Sequence, residues 1–247
     1  MADFSSCYPL ITEIRKRDNF AVVFRNALED VAGKVDFSHV KSCVAFGTGS
    51  GQHEIEFARR LLPNLRSFTA VEPDPESVKA LRASIQDGQL PGVETSVVET
   101  TLESWSGVDI RVDAVLFINM LLNVHADDRR ALIQKLMARY LNDGGLVVIC
   151  GITTSVPSSY TAISERLGKP IEDYDHAVED LAAAGFRVVF EQDLEGHFDL
   201  SNPSDDMVKF IHRKTGRSQT EVRAALDDVF SQQNMHLSMR KLGIFVK

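Results

Sequence analysis

Short apolar runs rich in β-branched residues recur along the chain and alternate with segments whose apolar residues repeat at helical spacing. This alternation is typical of an α/β protein whose mostly parallel sheet carries helices on both faces. The last two runs enclose a longer helical stretch, so we expect an antiparallel last strand in a seven-stranded sheet. The predicted strands are residues 40–46, 67–71, 93–98, 112–119, 146–151, 186–194 and 235–246.

Helix boundaries are marked by capping residues. Asp74 can cap the helix that follows the second strand, and Pro75 suits its first turn, where an N–H has no helical partner. Gly144 and Gly145 follow an amphipathic stretch, and we expect them to end that helix before the fifth strand. Gly185 is expected to end the next predicted helix in the same way.

We expect residues 1–247 to form one domain, because α/β sheets of this size commonly fold as a single unit. Residues 1–35 have a helical pattern and precede the sheet, which makes them a candidate lid. Two further segments are candidate substrate-side insertions. Residues 154–170 are rich in Ser and Thr and read as irregular, whereas residues 202–233 read as mainly helical.

The composition is that of an ordinary globular protein, with 44% hydrophobic and 25% charged residues. A net charge of -8 disfavours nucleic acid and anionic membranes as partners, because both are negatively charged. Three cysteines without CxxC spacing, together with no signal peptide pattern, predict a cytoplasmic protein. We expect a monomer that acts on a small molecule.

The sequence FGTGSGQHE places Gly47, Gly49 and Gly51 directly after the first predicted strand. Glycines at a strand-to-helix turn let the backbone approach a ligand, toward which the N–H groups of the helix start point. A dinucleotide fingerprint would require its third glycine where Gln52 stands. The spacing instead resembles the first motif of class I S-adenosylmethionine-dependent methyltransferases, which implies a Rossmann-like class I methyltransferase fold. An ordinary strand-to-helix connection is the alternative interpretation.

Glu72 ends the second predicted strand and is followed by Pro73. A carboxylate at this position can accept hydrogen bonds from both hydroxyls of a ribose. Since nicotinamide-dependent enzymes use an acid in the same way, an NAD-dependent oxidoreductase remains an alternative. The glycine spacing and the antiparallel last strand favour S-adenosylmethionine. Ala45 replaces the acidic residue that class I methyltransferases often carry two positions before the first glycine, so cofactor affinity would depend on the backbone and Glu72.

The tips of the third and fourth strands carry further polar residues. Thr100 and Thr101 lie where class I methyltransferases contact adenine, and Asn119 lies where they present the methyl acceptor. The tip lacks the [DNS]-P-P-[YFW] tetrapeptide of enzymes that methylate exocyclic base or amide nitrogens. It also lacks hard carboxylate ligands, so no metal is expected.

Several strings in order resemble the histamine N-methyltransferase family over most of residues 40–200. They are VEPDPESV, ETT, INMLLNV and DHAVEDLAAAGFRVVFEQDLEGHFDLS. The resemblance implies transfer of a methyl group from S-adenosylmethionine to an amine or imidazole nitrogen. The implied cofactor residues are Gly47, Thr48, Gly49, Glu72, Pro73, Ser77, Thr100, Thr101, Ile118 and Asn119.

The residues implied for the acceptor pocket depart from that family. Leu122 and Asn123 stand where family members have two tyrosines, and Tyr160 lies in the segment where they have paired tryptophans. The acceptor is therefore left open, and a non-catalytic module that binds S-adenosylmethionine is a second alternative. The implied acceptor residues are Tyr8, Asp18, Asn119, Leu122, Asn123, Tyr160 and His197.

Methyl transfer from a sulfonium is an in-line displacement that needs no covalent enzyme intermediate. The protein has to orient an uncharged nitrogen, and we assign this role to Asn119.

Overall fold

Seven β-strands form one sheet in the order β3-β2-β1-β4-β5-β7-β6, numbered along the chain. The computed structural model describes residues 18–102, 104–105, 111–121, 124, 126–135, 139–153, 155–168, 174–198, 205–232 and 236–247. The strands are β1 (Ser42–Phe46), β2 (Ser67–Glu72), β3 (Glu94–Glu99), β4 (Val112–Ile118), β5 (Leu141–Ile152), β6 (Arg187–Phe198) and β7 (His236–Val246).

The sheet is parallel except for its last strand in sequence. β1 pairs in parallel with β2 and β4, and the parallel pairing continues from β2 to β3 and from β4 to β5. β7 is antiparallel to both of its neighbours, β5 and β6. The predicted fold class and the antiparallel last strand are therefore confirmed, and each predicted strand corresponds to an observed one.

The helices of the described residues connect these strands. They are α1 (Phe20–Ala32), α2 (Gln52–Leu61), α3 (Pro75–Gln86), α4 (Ala126–Lys135), α5 (Ser159–Leu167), α6 (Tyr174–Ala183), α7 (Asp205–Thr215) and α8 (Gln219–Gln232). Asp74 caps α3 as predicted, because its side chain accepts a hydrogen bond from the Ser77 N–H at 2.8 Å. No helix in the described ranges is long and apolar enough to cross a membrane.

Alternate residues of the central strands supply two apolar cores on opposite faces of the sheet. On β1, Cys43 and Ala45 face the first core, whereas Val44 and Phe46 face the second. The first core also takes residues from α1, α2 and α3, and the second takes residues from α4 and α6. Because both faces are covered, the central strands read in the sequence as nearly continuous apolar runs.

Helix α1 occupies the second half of the predicted lid. Its residues Phe24, Leu28 and Val31 are almost fully buried in the first core. This part of the segment is therefore a core helix rather than a cover. The other residues of the predicted lid up to position 17 lie outside the described residues, so for them the lid stays a prediction.

The two predicted insertions meet in a third, separate apolar core. This helical cluster consists of α5, α7 and α8, and its buried residues include Leu167, Val208 and Leu226. The segment after β5 was expected to be irregular, but it contains α5, which begins with a capping box between Ser158 and Thr161. Both insertions follow the carboxyl ends of strands that run in the same direction, so the cluster lies on that side of the sheet.

The expected helix stop at Gly144 and Gly145 is wrong. Both glycines lie within β5, which already begins at Leu141, and Gly144 has a φ of +73°. The pairing of β4 with β5 is irregular between Val112 and Ala114, so the glycines serve a bulged strand start. The predicted stop at Gly185 is confirmed, because α6 ends at Ala183.

Gly243 of β7 lies where the core has no room for a side chain. A Cβ atom there would lie 2.0 Å from the Tyr174 hydroxyl oxygen, which itself donates to Glu191 on β6 at 2.9 Å. We expect Gly243→Ala to lower the free energy of unfolding by about 1–3 kcal/mol, because the core must shift to admit one methyl group. Chemical denaturation measures this change.

Gly151→Ala on β5 is the matched control. Its Cβ would lie 3.8 Å from the Tyr174 Cβ, which is an ordinary contact. We expect its unfolding free energy to stay within about 0.5 kcal/mol of the wild type. Equal stability of both variants would contradict the tight fit of Tyr174 over Gly243.

Candidate functional site

The strand order reverses between β1 and β4, at the centre of the sheet. From β1 the chain proceeds outward to β2 and β3, and from β4 it proceeds in the other direction to β5. Crevices at the carboxyl ends of strands beside such a reversal are the usual ligand sites of α/β sheets. The glycine loop after β1 and the residues after β4 both lie at this crevice.

The glycine loop consists of Gly47, Thr48, Gly49, Ser50 and Gly51 and has a left-handed backbone at each glycine. The φ angles are +61° at Gly47, +53° at Gly49 and +77° at Gly51. L-residues with side chains rarely adopt this conformation, which explains why the sequence has glycine at all three positions. The loop is tied to β2 by a 2.8 Å hydrogen bond from the Gly47 N–H to the Val71 carbonyl.

Two of these glycines also leave room for side chains of neighbouring elements. A Cβ at Gly47 would lie 2.7 Å from Cγ of Met120, and a Cβ at Gly51 would lie 2.2 Å from Cδ1 of Leu81. The space is filled by side chains of neighbouring elements. This packing does not test whether the backbone of Gly47 also approaches a cofactor, which stays a prediction.

The carboxylate of Glu72 joins the glycine loop to the turn after β2. Its Oε2 accepts the Gly49 N–H at 2.7 Å, and its Oε1 accepts the Asp74 N–H at 3.0 Å. Glu72 is buried, with 6% of its surface exposed. A carboxylate can accept about four hydrogen bonds, so these two N–H groups do not by themselves exhaust its capacity for ribose hydroxyls.

Thr48 supplies an independent indication of a ligand at the loop. The residue is 5% exposed, and its hydroxyl oxygen has no hydrogen-bond partner among the described residues. A buried hydroxyl without a partner costs about 1–3 kcal/mol, so such groups commonly occur where a ligand completes the hydrogen bonding. The residues of the loop thus fit a polar cofactor.

Ser77 and Ile118 differ from their expected places in the cofactor shell. The Ser77 hydroxyl donates to the Asp74 carboxylate at 2.6 Å and is buried, so its side chain supports the Asp74 cap of α3. The Ile118 side chain is packed in the first core, which leaves only its backbone for a ligand. Both residues lie close to the crevice in the chain but contribute to its scaffold.

The segment after β3 contacts the end of β1, next to the glycine loop, through Trp105, which the sequence analysis did not identify. Thr100 donates its N–H to the Glu72 carbonyl at 3.2 Å, while Thr101 is exposed and its hydroxyl accepts the Ser104 N–H. Trp105 then packs edge-on against Phe46, with ring centroids 5.0 Å apart. Trp105 is the only tryptophan of the chain, and its position four residues after Thr101 was the available signal.

Asn119 follows β4 with a left-handed backbone at a φ of +56°, and no other non-glycine residue in the described ranges has a positive φ. Asn tolerates this conformation better than most residues. The backbone N–H of Asn119 donates to the Cys150 carbonyl of β5 at 2.7 Å, and the residue is partly exposed. Burial raises the pKa of the Cys150 thiol to about 12, so this neighbour stays protonated near neutral pH.

Two predicted acceptor residues have structural partners. The Asp18 carboxylate accepts from Nη2 of Arg240 at 3.0 Å, and both side chains are less than one-tenth exposed. This contact differs from the expected role, because a carboxylate committed to a buried guanidinium does not face an acceptor. The His197 side chain is 44% exposed, and the backbone N–H of His197 donates to the side-chain oxygen of Asn19 at 2.8 Å.

The remaining predicted residues are covered only in part. Pro73 follows Glu72 and is exposed. Tyr160 lies in α5, but its side chain is outside the described structure. Tyr8, Leu122 and Asn123 also lie outside the described residues, so their roles stay predictions.

The chain was compared with known proteins. Residues 44–145, less than half of the 247 residues, match the family model of a methyltransferase domain. The match contains the glycine loop, Glu72 and Asn119. This part of the chain is therefore similar to methyltransferase domains, and S-adenosylmethionine is the cofactor that this similarity indicates. None of the curated protein sequences matches the chain.

Solved structures with this fold cover 90% of the chain. YcgJ from Bacillus subtilis is similar over 98% of its own length, with a TM-score of 0.59 and 16% identity. The N-methyltransferase NodS from Bradyrhizobium japonicum, in complex with S-adenosyl-L-homocysteine, is similar over 85%, with a TM-score of 0.56 and 13% identity. The cyclopropane synthase MmaA2 from Mycobacterium tuberculosis is similar over 83%, with a TM-score of 0.55 and 10% identity. At these identities the likeness establishes the fold alone.

Glu72 generates the prediction for this site. We expect Glu72→Ala to weaken S-adenosylmethionine binding at least tenfold, about 1.4 kcal/mol, because the Gly49 N–H of the loop and the ribose each lose an acceptor. Titration followed by the fluorescence of Trp105 measures the dissociation constant, since this ring packs beside the loop.

Glu76→Ala is the matched control, because Glu76 is an exposed carboxylate in the first turn of α3. It should bind the cofactor as the wild type does. Glu72→Gln should fall between the wild type and Glu72→Ala, since an amide oxygen can accept only one of the two N–H groups. Wild-type affinity in Glu72→Ala would contradict the assigned role.

Proposed function

We propose that the protein transfers a methyl group from S-adenosylmethionine to a nitrogen atom of a small amine or imidazole. The observation that carries this proposal is the position of Asn119. This polar residue has a left-handed backbone at the tip of β4, and the next residue, Met120, contacts the first glycine of the loop. A side-chain amide therefore lies at the crevice where the methyl donor binds.

Four protein groups would hold the cofactor. The Glu72 carboxylate would accept the ribose hydroxyls, the Thr48 hydroxyl would gain its missing partner, and Thr100 and Thr101 would border the adenine. When bound, S-adenosylmethionine supplies a methyl group that is activated by the positive charge on sulfur. The loop contributes no charged side chain of its own, and the carboxylate that accepts a hydrogen bond from it is the buried Glu72.

Asn119 would orient the acceptor. Its amide oxygen can accept from an N–H of an amine or imidazole, and its NH₂ group can donate. Holding a nitrogen lone pair about 3 Å from the methyl carbon and in line with it can by itself supply much of the rate enhancement. A neutral nitrogen needs no base before it attacks, and the proton leaves to solvent afterwards.

The acceptor would bind under the helical cluster of α5, α7 and α8. These helices come from insertions on the carboxyl side of the sheet, which is also the side of Asn119. The resemblance to histamine N-methyltransferases supports a nitrogen acceptor. Because the Asp18 carboxylate is paired with Arg240, the proposal does not use it to hold a cationic amine. A lid formed by residues 1–17, cytoplasmic residence and a monomeric state remain part of this proposal.

A methylation screen with labelled S-adenosylmethionine over biogenic amines, imidazoles and small phenols tests the function. We expect transfer to at least one amine or imidazole. Transfer to phenols alone would contradict the nitrogen acceptor. Cofactor binding without transfer to any compound would support a non-catalytic module, and binding of NAD instead of S-adenosylmethionine would support an oxidoreductase.

The variant Asn119→Gly tests the contribution of the Asn119 side chain separately from that of its left-handed backbone. Glycine keeps the left-handed conformation but removes the amide, so we expect cofactor affinity within about threefold of the wild type. Methyl transfer should fall at least tenfold, because a lost hydrogen bond to the reacting group costs about 1–2 kcal/mol. Steady-state kinetics with the best acceptor measure this loss.

Asn119→Asp is the companion variant. Aspartate also tolerates the left-handed backbone and has the same shape, but it cannot donate. Loss of transfer in the glycine variant with retention in the aspartate variant would assign the role to the oxygen atom. Unchanged transfer in both variants would contradict the role of Asn119.

A further inference from the structure

We propose that Met120 is a positioning residue that fixes the distance between the acceptor-orienting Asn119 and the cofactor loop. This inference rests on the proposed function. It concerns a residue that the sequence analysis did not assign to the site. The contact between Met120 and Gly47 is the observation that carries it.

The Met120 side chain fills the hole that glycine leaves at position 47. If Gly47 carried a Cβ, it would lie 2.7 Å from Cγ and 2.9 Å from Cβ of Met120, with Cε at 3.7 Å. The methionine thus covers this face of Gly47 along most of its length. No Cβ fits between Met120 and the Gly47 backbone, so the two are packed directly against each other, and packed interiors resist small displacements.

The tip of β4 is held from its other side as well. The Asn119 N–H donates to the Cys150 carbonyl at 2.7 Å, which ties the tip to β5. Asn119 therefore lies between two fixed points, the hydrogen bond to Cys150 and the contact of Met120 with Gly47. Of these two contacts, only the one between Met120 and Gly47 joins the tip of β4 to the loop that would hold the methyl donor.

Met120 is anchored to the body of the protein below the crevice. It is partly buried and packs against the second core, which also contains Phe46 and Leu121 on either side of the contact. β1 and β4 already pair through their ladder as far as Ala45 and Leu116, and the Met120 side chain extends this contact to the loop and the tip that follow. Since a displacement of about 1 Å can cost roughly a hundredfold in rate, a smaller residue here should affect transfer more than binding.

Met120→Ala and Met120→Leu test the proposal. We expect Met120→Ala to lower kcat at least tenfold while the dissociation constant of S-adenosylmethionine, followed by Trp105 fluorescence, changes less than threefold. Met120→Leu keeps most of the volume and should recover kcat to within about threefold of the wild type. Thermal unfolding of all variants checks that the loss does not come from unfolded protein.

A double-mutant cycle with Gly47→Ala tests the contact, because the backbone strain of alanine at a φ of +61° is common to both arms of the cycle. The added methyl group also overfills the space at Met120, so Gly47→Ala alone should reduce kcat. In that background Met120→Ala should cost nothing further or should restore activity, because the two changes act on one contact. Independent, additive losses would overturn the proposal.

Two more outcomes distinguish this proposal from the proposed function. If the wild type transfers methyl groups and Met120→Ala retains full kcat, or loses cofactor affinity by the same factor as kcat, the positioning role is wrong while the function stands. If the wild type binds S-adenosylmethionine but methylates no acceptor, the proposed function fails and the positioning role fails with it.

Discussion

The carboxylate of Glu72 holds together two turns that a parallel sheet cannot join through its own ladder. Parallel strands end side by side, but the loops that follow them have no regular hydrogen-bonding pattern. Glu72 supplies one by accepting the Gly49 N–H and the Asp74 N–H with its two oxygens. The bend before α2 and the turn that leads into α3 are therefore joined by one buried carboxylate, beside the Asp74 cap of α3. Because that anion also borders the crevice, the group that shapes the loop is the group available to a ribose.

The opposite side of the crevice follows a different principle. At the tip of β4 the backbone of Asn119 adopts a conformation that most residues avoid, and it is held there by the Cys150 carbonyl and by the side chain of Met120. Strained residues persist only where their surroundings determine them. Here the surroundings come from the two neighbouring strands. Glu72 fixes the cofactor side through charge, whereas Met120 fixes the other side through shape.

The sheet could be predicted from the sequence because its central strands are buried on both faces. Val115, Leu116 and Phe117 form a continuous apolar run that allows few other interpretations. The β5 start was missed because Gly144 resembles a helix stop, and only the pairing with β4 reveals a bulged strand. Local signals cannot report on a partner strand some thirty residues away.

Site residues could be predicted from the sequence where the local backbone conformation requires a particular residue type. They could not be predicted where the role of a residue depends on its contacts with distant parts of the chain. The left-handed glycines and the Asp74 cap follow from local geometry. The ion pair of Asp18 could not be predicted, because its partner, Arg240, lies more than two hundred positions later in the chain. Met120 and Trp105 were overlooked for the same reason, since an apolar side chain shows its role only through what it touches.

The helical cluster of α5, α7 and α8 has its own apolar core, separate from the two that cover the sheet. It is assembled from chain segments that leave the sheet after β5 and β6 and meet again only in space. Residues in this core can therefore be exchanged without repacking the strands that carry Glu72 and Asn119. If the acceptor binds beneath this cluster as proposed, substitutions in it could change acceptor preference while the strands that position the cofactor loop stay as they are.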